Sequence, residues 1–80
     1  MKISEVVALR IRQILKEKKI SQYKLEQMSG ISHNTMSFLL NGRYNAANMR
    51  TVFIIIYSLG MTVSDFFDDP LFDFNQIHTD

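Results

Sequence analysis

Apolar residues recur along this chain at helical spacing. Val7, Ile11, Ile14 and Leu15 share one face of a helix predicted over about 4–18, with Ser4 as a candidate N-cap. "KKIS" ends that helix, and Ser21 can cap a second short one that turns Leu25 and Met28 inward. "SGI" at 29–31 punctuates the pattern, because Gly30 can adopt the left-handed conformation that closes one helix and turns sharply into the next. Ser32 then caps a third helix, about 33–40, and Asn41-Gly42 marks its end. In this third helix Met36 and Leu39 face one way, with Thr35 and Leu40 at the margins. His33, Asn34, Ser37, Phe38 and Asn41 occupy an opposite arc of roughly 140°.

The segment "MRTVFIIIYSL" at 49–59 carries two signals. Val52 and Ile54 to Ile56 have strand propensity. Against that, Asn48 is a good N-cap, Gly60 suits the position after a helix, and Met49, Val52, Phe53, Ile56 and Leu59 keep helical spacing. The segment is therefore predicted as a helix buried on most sides, with Arg50, Thr51 and Ser58 nearer the surface. "TVSD" at 62–65 resembles a capping box opening a short fifth helix that bears Phe66 and Phe67. Pro70 follows, and the last ten residues carry no clear element. The expected architecture is a compact all-α domain of five helices over 1–68, followed by an acidic, aromatic tail over 69–80.

Eighty residues suffice for one domain without covalent staples. The absence of cysteine excludes disulfides and thiolate metal sites, and fits a cytoplasmic location. The charged, amphipathic N-terminus does not read as a secretory signal, and the apolar run at 51–63 is too short to cross a bilayer. The net charge of +1 hides an asymmetry. All nine Lys and Arg lie between Lys2 and Arg50, against three acids in residues 1–64, a balance of +6; residues 65–80 hold the other five acids and no Lys or Arg. A basic body is what a polyanion-binding domain needs, although a solvated surface with an acidic end accounts for the same numbers.

Catalysis finds little support. Two histidines without HExxH, P-loop or dinucleotide fingerprint leave no constellation to assemble, and no acid on the third helix would orient His33 toward Ser37. Asp65, Asp68 and Asp69 lack the glycine and ligand spacing of a calcium loop. No metal or other cofactor is expected.

Helices two and three, joined by a short glycine turn, have the layout of a helix-turn-helix unit. The residues "SQYKLEQMSGISHNTMSFLLNGR" at 21–43 closely resemble the phage repressor/Cro (XRE-like) family of helix-turn-helix DNA-binding proteins, and the resemblance extends over 7–67. It implies a five-helix repressor-like fold, double-stranded DNA as partner, and a cytoplasmic transcriptional regulator with the third helix in the major groove. It assigns base contacts to His33, Asn34 and Ser37, and backbone contacts to Gln22, Asn41, Arg43 and Tyr44. Asn can bond adenine bidentately, Ser can donate or accept, and Phe38 either offers a thymine methyl an apolar surface or packs on the second helix or a neighbouring chain. Ser32 and Thr35 stand at the helix N-terminus, which favours a phosphate.

Two departures stand out. Glu26 occupies a position where the family usually has alanine; either the two helices separate slightly or its stem packs while the carboxylate reaches water, but facing DNA that carboxylate would oppose binding. Leu15 and Leu40 occupy positions where many members pair arginine with glutamate, so these two leucines are expected to touch. Near the C-terminus Phe66, Phe67, Leu71, Phe72, Phe74 and Ile77 exceed what a small core can bury, which points to an interface. The first four are the candidate dimer contacts, since a symmetric dimer spaces two recognition helices one DNA turn apart. The alternative is an antitoxin-like module whose aromatic C-terminal segment binds a different protein.

Overall fold

Helix ends form where a side chain can take up a backbone N–H that the helix itself leaves unpaired. In the computed structural model, which describes residues 1–43 and 48–77, four of five α-helices begin this way. They run as α1 (Ile3–Lys18), α2 (Gln22–Ser29), α3 (His33–Leu40), α4 (Met49–Ser58) and α5 (Val63–Phe67), followed by 3-10 turns at Pro70–Phe72 and Phe74–Gln76. The caps of α2 to α5 are Ser21, Ser32, Asn48 and Thr62, accepting from the N–H of Lys24, Thr35, Thr51 and Asp65. Helix α1 differs from expectation. Its N-cap is Lys2, two residues earlier than Ser4, and the Lys2 N–H donates to Glu5 Oε1 at 2.8 Å. Ser4 is therefore inside the first turn, buried, with its hydroxyl unpartnered.

The core joins Ile11, Ile14 and Leu15 of α1 to Leu25 of α2, Met36, Leu39 and Leu40 of α3, Val52, Ile55 and Ile56 of α4, and Phe66 of α5. Met28, expected inside, is 40% exposed. Helix α4 is also more one-sided than its composition indicates. Caps at Asn48 and the left-handed Gly60 (φ 72°) override the β-branched run. One face is then buried, and Met49, Phe53 and Tyr57 lie along another at 69, 45 and 85% exposure. Their spacing of four residues makes them a single stripe.

The chain after α5 folds back on α1. Phe66 is fully buried, and its ring meets Phe67 edge-on at 5.0 Å and Phe72 at 6.1 Å. Arg10, buried in α1, ties this end down: Nε donates to the Phe66 carbonyl at 2.6 Å, Nη2 to the Asp65 carbonyl at 2.9 Å, and Nη1 to Asp69 Oδ2 at 3.2 Å. Residues 70–77, without a predicted element, thus adopt ordered turns, and the Met1 ammonium donates to the Gln76 carbonyl at 2.9 Å.

Gly42 closes α3 against the start of α1. Its φ of +67° is left-handed, and a Cβ there would come within 3.2 Å of the Glu5 Cα. The left-handed backbone strains any L side chain and a Cβ would push the Glu5 backbone aside by a few tenths of an ångström, so Gly42→Ala is expected to cost about 1–3 kcal/mol. Chemical denaturation at constant m-value is the check.

Candidate nucleic-acid interface

The turn between α2 and α3 sets what α3 can present. Gly30 takes φ 74° and its N–H closes α2 on the Glu26 carbonyl at 2.9 Å. Ser29 adds to the closure, its hydroxyl donating to the Leu25 carbonyl at 2.7 Å while accepting from the Ile31 N–H at 3.2 Å. With Met36, Leu39 and Leu40 buried, α3 leaves His33, Asn34, Thr35, Phe38 and Asn41 exposed, and Ser37 half-buried between. His33, Asn34, Ser37, Phe38 and Asn41 are the residues expected on the outer face; of the two expected at its margins, Thr35 is exposed and Leu40 buried.

A hydrogen-bond network braces the N-terminal half of that face from behind. Gln22 Nε2 donates to Glu26 Oε2 at 2.9 Å and to Ser37 Oγ at 3.2 Å. Glu26 Oε2 also meets His33 Nδ1 at 2.9 Å. The carboxylate of Glu26 is therefore turned into the α2–α3 crevice, its side chain 12% exposed, instead of reaching water. The hydrogen bond from Gln22 holds its pKa below the ordinary carboxylate range; burial opposes this, and His33 adds to it through a hydrogen bond and its charge. Both Gln22 amide hydrogens are engaged, so in this state Gln22 buttresses Ser37 and offers no donor to a phosphate.

The C-terminal half is held differently. Arg12, a residue that the sequence did not single out, reaches from α1 to donate to the Leu40 carbonyl at 2.8 Å and to Asn41 Oδ1 at 3.4 Å. Asn41 in turn donates to the Ser37 carbonyl at 2.8 Å. Arg43 places its guanidinium 5.8 Å from the centroid of the Phe38 ring, while Phe38 remains 53% exposed. Phe38 is thus a platform for a cation on the outer face of α3. Tyr44 lies outside the described residues.

The N-termini of α3 and α4 open on a shared groove of about 440 Å³ lined by Ser32, Thr35, Asn48, Arg50 and Thr51 among others. Arg50 was legible only as a surface residue of α4; its placement beside Ser32 depends on the packing of α4 behind α2. Of the residues expected at a dimer contact, Phe66 has no surface to offer, Leu71 and Phe72 are half-buried, and Phe67 is 38% exposed. No group of three or more His, Asp or Glu is placed to hold a metal ion among the described residues, and no helix there is long and apolar enough to cross a membrane. Asp69 is engaged by Arg10.

Two short helices at a glycine turn, one anchored and one presenting polar side chains, define a helix-turn-helix DNA-binding domain. The family model described as the Cro/C1-type HTH DNA-binding domain matches residues 10–70, and the chain belongs to that family. No curated protein and no solved structure matches the chain with significance. Family membership makes the protein a DNA-binding regulator, and double-stranded DNA its partner.

Proposed function

We propose that this protein is a sequence-specific transcriptional regulator that inserts α3 into the major groove and acts as a homodimer on a pseudo-palindromic operator. The observation that carries this is the exposed face of His33, Asn34 and Phe38 with Ser37 beside it, braced from behind by Gln22 and Glu26. A face held rigid before binding loses less conformational entropy on docking than one that must be ordered. Phosphate contacts fall to Arg43 on Phe38, to Asn41, and to Arg50 with Ser32 and Thr35 at the α3–α4 groove. The argument for a second copy is reach. Eight residues of α3 span about 12 Å, enough for one half-site, and two copies spaced by about 34 Å read both halves.

Electrophoretic mobility shift against the DNA upstream of the protein's own gene, across a salt series, tests the reading. Asn34→Ala should cost roughly 1–3 kcal/mol and relax preference at one base pair, whereas Arg43→Ala should weaken all sequences alike and reduce the salt slope by about one. Equal, sequence-independent losses from both would remove Asn34 from base reading.

A second reading has its own observation: the Met49–Phe53–Tyr57 stripe of α4 and the exposed Phe67 and Phe74 are apolar surfaces that could engage a different protein, as in antitoxins. Light scattering at low micromolar concentration separates the two. A dimer supports self-association; a monomer that co-purifies with a neighbouring gene's product supports the antitoxin-like reading.

A further inference from the structure

The position of the proton on His33 decides what α3 offers to a base. Glu26 Oε2 stands 2.9 Å from His33 Nδ1, and an ionised carboxylate only accepts. The proton of the neutral ring therefore sits on Nδ1, and Nε2 carries a lone pair. Ser37 completes the arrangement. Its oxygen accepts from Gln22 at 3.2 Å, which leaves its O–H to point elsewhere, and it lies 3.5 Å from His33 Nε2. With Nδ1 protonated, this contact is a long, weak hydrogen bond from the Ser37 hydroxyl to Nε2, which a base edge can displace. Adjacent on the outer face of α3 are thus one acceptor, Nε2, and one donor, the Ser37 hydroxyl.

We propose that Glu26 is a specificity-determining residue that fixes His33 as an acceptor, so that His33 and Ser37 together read the N6 and N7 edge of an adenine. In the major groove adenine presents an N6 amino donor beside an N7 acceptor, whereas guanine presents two acceptors. The pair on α3 complements the first and mismatches the second at O6. Glu26 touches no base itself; it acts through the imidazole. The carboxylate that would oppose DNA if it faced the groove instead orients the residue that reads it. Protonation of the imidazole turns Nε2 into a donor, and the same pair then complements guanine. Glu26 from α2 is the charged group against the ring, and Ser37 from α3 the polar one.

This inference rests on the DNA-binding reading, and the test separates the two. Binding sites are selected from a randomised duplex library with the wild-type protein, Glu26→Ala and His33→Ala at about pH 7.5. The expected wild-type motif contains an adenine, preferred by about tenfold, that disappears in His33→Ala and is markedly weakened in Glu26→Ala. Nitrogen-15 NMR of the free wild-type protein, which needs no variant to fold, should find the neutral His33 ring protonated at Nδ1. A His33-dependent position that prefers another base, a preference untouched by Glu26→Ala in a folded variant, or a ring protonated at Nε2 overturns the inference and leaves DNA binding standing. A library from which the wild type enriches nothing overturns both.

Discussion

Replacing Arg10 with alanine should destabilise the domain by about 3–5 kcal/mol, the range found when one partner of a buried ion pair is removed. The guanidinium satisfies the carbonyls of Asp65 and Phe66, the Asp69 carboxylate and Gln13 Oε1 at 2.8 Å, and lies 5.8 Å from the Phe66 ring centroid. Truncation strands those acceptors, and part-buried ones cannot all be reached by water. For a chain of this size the loss corresponds to a fall in Tm of about 12 °C or more, a large part of the stability of a small domain. Asp69→Asn should cost far less, about 1 kcal/mol, because Arg10 keeps its other acceptors. Thermal and chemical denaturation of both variants gives the comparison; an Arg10→Ala loss under about 1 kcal/mol would mean that the aromatic packing alone holds the C-terminal segment.

Arg10 also marks where reading from sequence stops. Its partners near the C-terminus lie 55 to 59 residues away, so neither periodicity nor a motif couples it to the end of the chain. The features that could be read are local. Ser21, Gly30, Ser32, Asn48 and Gly60 act within a few residues of themselves, and each takes its expected role at a helix end. Ser4 misleads for a local reason as well: Glu5, its neighbour, already accepts the first N–H from Lys2, and the helix starts before the serine. In α4 the apolar residues outnumber the partners available. Leucine-like content indicates a buried helix, but only the packing decides that Met49, Phe53 and Tyr57 face away from the core. The C-terminal aromatics divide in the same manner, with Phe66 inside and Phe74 81% exposed.

In α3 the outward residues follow from the 3.6-residue repeat with Met36 and Leu39 as the anchor. What supports them does not follow. Glu26 and His33 are seven apart across a turn, and Gln22 and Ser37 fifteen apart, so their network exists only because Gly30 folds α3 back against α2. Viewed without its partners, a glutamate in place of a small residue reads as a liability to DNA binding. Paired with Gln22 and His33 it becomes part of the mounting. Arg12 is a comparable case: a basic residue on the exposed side of α1 that closes the C-terminal end of α3, where cations are favoured by the helix dipole.

The leucines that replace a family ion pair yield the second large effect. Leu15 and Leu40 are 8% and 2% exposed and belong to one core cluster. Arg12, one turn before Leu15 on α1, donates to the Leu40 carbonyl, which places the two helices side by side at this level. Leu40→Glu alone should cost at least about 3 kcal/mol, since it removes a buried side chain and puts an unpaired carboxylate in its place. Leu15→Arg alone should cost less, because a long stem can carry its charge to the rim. If the two side chains touch, the double variant recovers about 0.5–3 kcal/mol relative to the sum of the single changes, the size of coupling expected for residues in contact. Strict additivity would separate them. A double variant still less stable than the wild type is expected in either case, since packed leucines need no desolvated charge to be held in register.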